Sequence, residues 1–450
     1  MFVSDHDHVT TAIYEGNASV ISYQYLHTSF LATVQYISTQ STIQMVTSSS
    51  LQYGTLPSAA KGDIKPFKLH IGKEAVENLK QLIKLSPVAK ECYENEEHGG
   101  LNLGVTRKWI LDAKKQWETD FDWRKHESYI NSFPQFKTQI QDDDGHVFDI
   151  HFTALFSQKA DAIPIVLFHG WPGSFLEFLP MVDLLRQKHT PSTLPYNIIV
   201  PSLPGFTLSS AAPKTKPWAM EDTARILHKL TLSLGYPSYI VQGGDIGAGI
   251  ARMAAVAYPE CTAAHINHAF MPPPASCSPI HPLEQAGLQR YHDFADTGTA
   301  YGRMHGTRPS TIGIALSASP LALLAWIADK FLEWSDPATV PSVDTILAHV
   351  SLYWFTNCFP TAIYTYRRDF VGEREEGYLH GIERLRMEKP LGYSWYKYEL
   401  APVPTAWVEK TGKLVWSARH EKGGHFAALE RPDVFLEDLE GFVGVVQNGA

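Results

Sequence analysis

Three short glycine-rich segments hold the side chains that could do chemistry. In Gly243-Gly244-Asp245-Ile246-Gly247 an acid sits between small residues, directly after the apolar run Tyr239-Ile240-Val241. A small-x-nucleophile-x-small turn between strand and helix strains its central residue and projects that side chain above a sheet. Glycines flank it because bulkier neighbours would collide in so tight a turn. The central residue is Asp245 where a serine hydrolase would carry Ser, and no GxSxG occurs elsewhere in the 450 residues. Such an acid either attacks carbon to form an ester or simply caps the helix that follows.

The second segment is Phe168-His169-Gly170-Trp171-Pro172-Gly173-Ser174. In this architecture an oxyanion takes one N–H from the residue after the nucleophile and another from an earlier loop. Those donors would be the amides of Ile246 and Trp171. His169, on the strand side of its loop, reads as structural. The third segment, Glu421-Lys422-Gly423-Gly424-His425-Phe426, lies between the last apolar run and a closing helix. A base belongs there when a triad runs nucleophile, acid, base. With 20 histidines in the chain, position selects His425 and residue type does not.

These segments need a sheet to hold them, and the sequence has the alternating β–α rhythm of a parallel one. Ile165–Phe168, Asn197–Val200 and Tyr239–Val241 are short apolar runs ended by Gly or Pro, as buried strands are. Gly392–Tyr396 and Lys413–Trp416 add two strands, and Pro432–Val443 a closing helix with Phe435, Leu439 and Phe442 aligned. The rhythm stops between about 271 and 386, where the pattern predicts helices over Ile312–Phe331 and Ser342–Tyr353. An insertion lying over the strands' C-terminal ends, a lid, accounts for it. Upstream, Gly72–Leu85 reads as a helix with Val76, Leu79 and Ile83 on one face. Thr106 can cap a second, with Ile110, Ala113 and Trp117 in line. Phe148–Phe152 alternates like a strand. Residues 65–150 are read as a small lead-in domain and 151–450 as a core carrying the lid.

Composition excludes other classes. Apolar types make up 44% and charged types 19%, which suits a large buried core and not a disordered chain. A net charge of −9 leaves no basic footprint for nucleic acid or anionic lipid. Cys92, Cys261, Cys277 and Cys358 lack zinc or disulfide spacing, so a reduced compartment, the cytoplasm, is expected. Residues 1–60 contain no Lys or Arg and eighteen Ser or Thr. That is neither a secretory signal nor a transit peptide, and no stretch is apolar for long enough to span a membrane. Residues 1–64 read as a loosely ordered extension, with weak strand-like alternation around Ser29–Ile37. His6 and His8, without further ligands, are not read as a metal site.

Together the motifs resemble those of microsomal-type epoxide hydrolases, and most of all their soluble fungal members. The resemblance covers about residues 65–447. It rests on Trp117-Glu-Thr-Asp-Phe-Asp-Trp-Arg124, on the HGWPGS loop from His169, on the GGDIG turn around Asp245 and on Gly423-Gly-His-Phe-Ala-Ala-Leu-Glu-Arg-Pro432. It implies an α/β-hydrolase fold with a helical lid and a small N-terminal epoxide-hydrolase domain. It implies Asp245 as nucleophile and His425 as base. Two lid tyrosines that bind the epoxide oxygen map to Tyr301, ahead of Thr307-Arg-Pro-Ser-Thr311, and to Tyr366, which closes Phe359-Pro-Thr-Ala-Ile-Tyr-Thr-Tyr366. The acid maps to Glu399, just before Pro402-Val-Pro404, where relatives often have Asp after Phe-Pro. Asp433 is a fallback, with a structural reason to open a helix. The partners implied are a small epoxide and water, with no cofactor, metal, nucleic acid or stable membrane insertion. Relatives often pair through their lids, which leaves a homodimer open.

The implied chemistry is coherent. A carboxylate suits attack at an epoxide carbon because it forms an ester that water can later cleave. Two phenols can donate to the departing oxygen while staying protonated at neutral pH. Two other readings stay open at this point. A haloalkane dehalogenase shares the Asp nucleophile, but typically has Trp after it, where this chain has Ile246. An inactive scaffold binding a small apolar ligand would not need five competent side chains.

Overall fold

The computed structural model describes residues 53–99, 102–370 and 379–449. The Ser29–Ile37 segment and the His6–His8 pair lie outside the described residues. Nine strands are described: β1 Lys65–Pro66, β2 Gln135–Gln141, β3 Val147–Leu155, β4 Ile163–Phe168, β5 Tyr196–Pro201, β6 Tyr239–Gly243, β7 Cys261–Ile266, β8 Met387–Tyr398 and β9 Gly412–Gly424. They form one sheet in the order β1-β2-β3-β5-β4-β6-β7-β8-β9. From β5 to β9 every pairing is parallel, and β1 to β3 extend one edge antiparallel. The β4–β6 strands are apolar almost throughout because helices cover both faces. β2 and much of β3, within residues 65–150, are part of this sheet.

The helices before the parallel region form where the spacing requires. In α1 (Lys73–Leu85) Leu79 and Ile83 are buried. Thr106 Oγ1 accepts from the Trp109 amide at the start of α2 (Arg107–Thr119). The stripe of α2 is buried, and Trp117 Nε1 donates to Ser351 Oγ at 3.2 Å. Burying such a side chain contributes about 2–3 kcal/mol. Asp122 caps α3 (Trp123–Ile130). In the core, α4 (Leu179–Lys188), α5 (Met220–Ser233) and α6 (Asp245–Ala257) pack on the sheet.

The chain between β7 and β8 is helical: α7 (Pro282–Asp293), α8 (Ala300–Thr307), α9 (Pro309–Ser317), α10 (Pro320–Trp334) and α11 (Val343–Thr356), then short turns at Phe359–Ala362 and from Tyr366. The single helix predicted over Ile312–Phe331 is corrected here. It is two helices bent by 118°. Ser319 accepts from the Ala322 amide as an N-cap and Pro320 opens α10, and a proline ring cannot continue the helix that precedes it. Among the described residues no single helix is long and apolar enough to cross a membrane, although α9 and α10 pass that test as a bent pair. The closing helix, α12 (Pro432–Gln447), buries Phe435, Leu439 and Phe442.

Candidate active site

Strand register brings the three glycine-rich segments to one place. Phe168 of β4 is level with Gly243 of β6, and Gly243 is level with Ile266 of β7. The loops after these strands therefore leave the sheet side by side. Tyr398, the last residue of β8, is level with Gly424, the last of β9, so Glu399 and His425 emerge as neighbours. β4 is followed by β5 on one side and β6 on the other, which makes this edge the point where the strand order reverses. Open α/β sheets hold their ligands in that crevice.

Asp245 has φ +49°, a left-handed conformation that costs a non-glycine residue energy and is kept only where the surroundings enforce it. The glycines enforce it. A Cβ on Gly243 would strike the Gly247 backbone, and one on Gly247 would strike the Phe168 carbonyl. A Cβ on Gly170 would overlap the Asp245 carboxylate itself. The Trp171 amide donates to Asp245 Oδ1 at 2.8 Å. Burial would push the Asp245 carboxyl up, but the hydrogen bond and charge of His425, with the Ile246 amide, hold it below the usual range.

His425 Nδ1 lies 2.6 Å from Glu399 Oε1, and its Nε2 is 3.5 Å from Asp245 Oδ2. The His425 amide is tied to the Trp334 carbonyl at 2.9 Å, which fixes the loop under the lid. Burial works against a charged imidazole, but Glu399 and Asp245 outweigh it and raise His425 to about 10. Glu399 is 1% exposed. Despite burial its carboxyl is depressed by His425 and His268, and its Oε1 also accepts the Leu400 amide at 2.7 Å.

Tyr301 and Tyr366 stand with ring centroids 5.7 Å apart. Trp171 stacks on Tyr301 at 5.2 Å and meets Tyr366 edge-on at 6.1 Å. Burial pushes the Tyr366 phenol well up, with Tyr301 and Asp245 adding to it, so it holds its proton. The predicted site residues thus meet in one crevice: Asp245, His425, Glu399, both tyrosines, and the amides of Trp171 and Ile246.

Matches to known proteins agree with this arrangement. Residues 64–178 match the family "Epoxide hydrolase N terminus", and residues 163–301 match "alpha/beta hydrolase fold". The structure of Aspergillus niger epoxide hydrolase is similar, with a TM-score of 0.81 and 42% identity over 87% of this chain and 99% of that one. The chain belongs to the epoxide hydrolases. Epoxide hydrolase 1 of Oryctolagus cuniculus is 30% identical over 85% of this chain and 89% of its own. The structure of juvenile hormone epoxide hydrolase from Bombyx mori superposes with a TM-score of 0.76 at 28% identity, covering 86% of this chain and 96% of that one.

Two further candidates separate from the site of this epoxide hydrolase. His169 is buried and burial lowers it to about 4; its Nε2 accepts the Leu203 amide, a structural task. Asp433 pairs with Arg431 and its side chain is 60% exposed. Sequence reasoning missed five residues that touch the site. His305 packs edge-on to both phenols, and Trp334 lies between Tyr301 and His425. His268 and Asn267 follow β7, and Glu177 stands four residues beyond Gly173. The ligand atoms of His268, Glu399 and His425 lie within 4.8 Å of one another. His425 Nδ1 and Glu399 Oε1 are already spent on each other, an arrangement that suits proton relay.

Proposed function

We propose that the protein converts epoxides to vicinal diols through a covalent ester on Asp245. The observation that carries this reading is the strained Asp245, with an imidazole against one carboxylate oxygen and an amide on the other, beside a pair of phenols. Oδ1 is held by the Trp171 amide, which leaves Oδ2 to attack. Oδ2 forms a bond to an epoxide carbon as the ring C–O bond breaks, and the electron pair leaves with the oxygen. Tyr301 and Tyr366 donate to that oxygen, so it departs as an alcohol and not as a free alkoxide.

Ester formation removes the Asp245 charge. His425 then keeps only one of its two carboxylate partners and releases its proton, which returns through solvent to the phenolate left by ring opening, so that the neutral imidazole can serve as base. A water gives a proton to His425 Nε2 while its oxygen adds to Cγ of Asp245. The negative charge gathers on Oδ1, where the amides of Trp171 and Ile246 receive it; preorganised donors of this kind are worth about 10²–10³ in rate each. Collapse breaks the bond between Cγ and the alkyl-bearing oxygen, the proton on His425 goes to the leaving alkoxide, and the proton of the new Asp245 carboxyl then passes to His425 Nε2, 3.5 Å from Oδ2, which restores the resting ion pair. Glu399 holds the imidazole throughout.

One turnover in heavy-oxygen water tests the route. Water oxygen should enter the Asp245 side chain, and the first diol should carry none of it. Diol that carries the label while Asp245 stays unlabelled would mean direct attack by water, and the covalent reading would be lost. Release of halide from chloroalkanes without diol from epoxides would point to dehalogenation.

A further inference from the structure

Glu177 has no part in the scheme above, yet it is placed where a second carboxyl is hard to explain by packing. It lines a cavity of about 20 Å³ together with Asp245, Asn267 and His425, with Phe426 and Phe435 also in the wall. A cavity needs roughly 10–15 Å³ of such space for one water, and the water needs two to four polar partners. This one has room for a single water beside Asp245, with three polar side chains in its lining besides the nucleophile. The carboxyl is folded against the HGWPGS loop, since a Cβ on Gly173 would run into Glu177 Oε2. Gly173 therefore leaves the space that Glu177 fills.

We infer that Glu177 is a catalytic residue of the ester-hydrolysis step, seating the attacking water together with Asn267 and His425. The inference rests on the covalent reading above. A nucleophilic water has two protons and two lone pairs to place. One proton goes to His425 Nε2 and the second to a carboxyl oxygen of Glu177. Asn267 already uses Oδ1 to accept from Gln242 Nε2 at 2.9 Å, so its amide nitrogen can donate to one lone pair. The other lone pair is left to form the bond to Cγ of Asp245. No proton need leave Glu177; it directs the water, while His425 takes the proton and later returns it to the alkoxide.

The charge state of Glu177 fits this role. Burial, opposed by His425 and reinforced by Asp245, raises it to about 8. A neutral carboxyl can sit beside Asp245 without repelling it, and its carbonyl oxygen still accepts from water. An anion there would oppose the nucleophile in its resting state.

The test separates the two half-reactions in Glu177→Leu, which keeps the volume without polar atoms, and in Glu177→Gln, which keeps the acceptor. Rapid quench and intact-protein mass spectrometry follow ester appearance and decay with styrene oxide as probe. In Glu177→Leu the ester should form at a rate within about threefold of wild type and decay about 10- to 100-fold more slowly, as expected for loss of a hydrogen bond at a reacting centre. It should accumulate, lowering kcat more than kcat/KM. Glu177→Gln should restore decay to within about fivefold. Equal decay in Glu177→Leu and wild type would overturn the inference, as would equal slowing of formation and decay in both variants, which marks a structural role. If wild-type enzyme turns over with no ester on Asp245, the covalent reading itself fails, a different result.

Discussion

His268 Nδ1 stands 3.4 Å from Glu399 Oε1, the same oxygen that His425 Nδ1 reaches at 2.6 Å. One carboxylate oxygen therefore has an imidazole on either side, with ring centroids 5.7 Å apart and nearly perpendicular. The closer ring is the one aimed at Asp245, and we propose that His268 acts through Glu399 as a positioning residue. His268→Ala should lower kcat by no more than about tenfold, leave KM within about twofold, and shift the pH profile of kcat, because the acid then serves one imidazole only. A variant with the wild-type pH profile would remove His268 from the relay.

Asp245→Ala removes the attacking oxygen, and residual diol formation should fall by at least about 10⁴-fold, the scale on which triad nucleophiles act. Folding should survive, because Ala keeps the Cβ that the turn already accommodates beside Gly170 and leaves the Trp171 amide facing the crevice. Steady-state diol formation with a melting curve on the same sample checks both.

Tyr301→Phe and Tyr366→Phe should each slow ester formation about 10- to 100-fold, and together by about 10³ or more. Decay of an ester already formed should not change, since in the proposed scheme the phenols act on the epoxide oxygen and not on the water. The Tyr366 hydroxyl is buried without a well-aligned partner, so its loss should leave the unfolding midpoint unchanged or slightly raised. Normal ring opening in the double variant would exclude the phenols as donors.

The protonation of His425 couples stability to pH. Its folded pKa of about 10 lies above an unfolded value near 6.5. A raised pKa contributes stability that is complete below about 6.5 and is lost as pH rises through about 10. Thermal unfolding midpoints of the wild type should fall between pH 7 and 10, and His425→Gln should flatten that slope. Parallel slopes in the two proteins would show that His425 is not charged in the resting enzyme.

Away from the site, Asp142 ties the end of β2 to α5. Its carboxylate accepts from Arg225 Nε at 2.7 Å and Nη2 at 2.9 Å, with Lys216 at 3.4 Å, and its side chain is 1% exposed. The Arg225 hydrogen bonds hold its carboxyl well below the carboxylate range. A lowered pKa contributes stability above about 4 that is lost as pH falls. Asp142→Asn should cost about 2 kcal/mol at pH 7, because Arg225 loses its buried partner and keeps only Asp222 and the more exposed Asp143, and the cost should shrink toward pH 3. Urea unfolding at the two pH values measures it.

The sequence was legible where local backbone rules and chemistry coincide. Asp245 and His425 sit in glycine-rich turns after apolar runs, and the register of β6 and of β8 with β9 places them as the motifs imply. The break in the lid was also written in the chain, since Ser319-Pro320 is a cap followed by a helix-opening proline. Reading Ile312–Phe331 as continuous gave apolar periodicity precedence over that signal. β7 and α5 drew no prediction, because Cys261–Ile266 is short and Ala-rich and α5 mixes polar residues into its stripe. Glu177, Asn267 and His268 could not be recognised by residue type among 47 acids and 20 histidines. Folding gives them their meaning, through the level pairing of β4, β6 and β7. Their position, directly after a sheet strand or within a turn of the HGWPGS loop, was the signal available.

Trp171 serves two masters. Its amide holds Oδ1 of Asp245, and its indole is the floor on which Tyr301 rests. Timing follows from that shared part. If Asp245 reacts as proposed, a lid displaced from the sheet would part Tyr301 from that indole and leave ring opening idle until it returns.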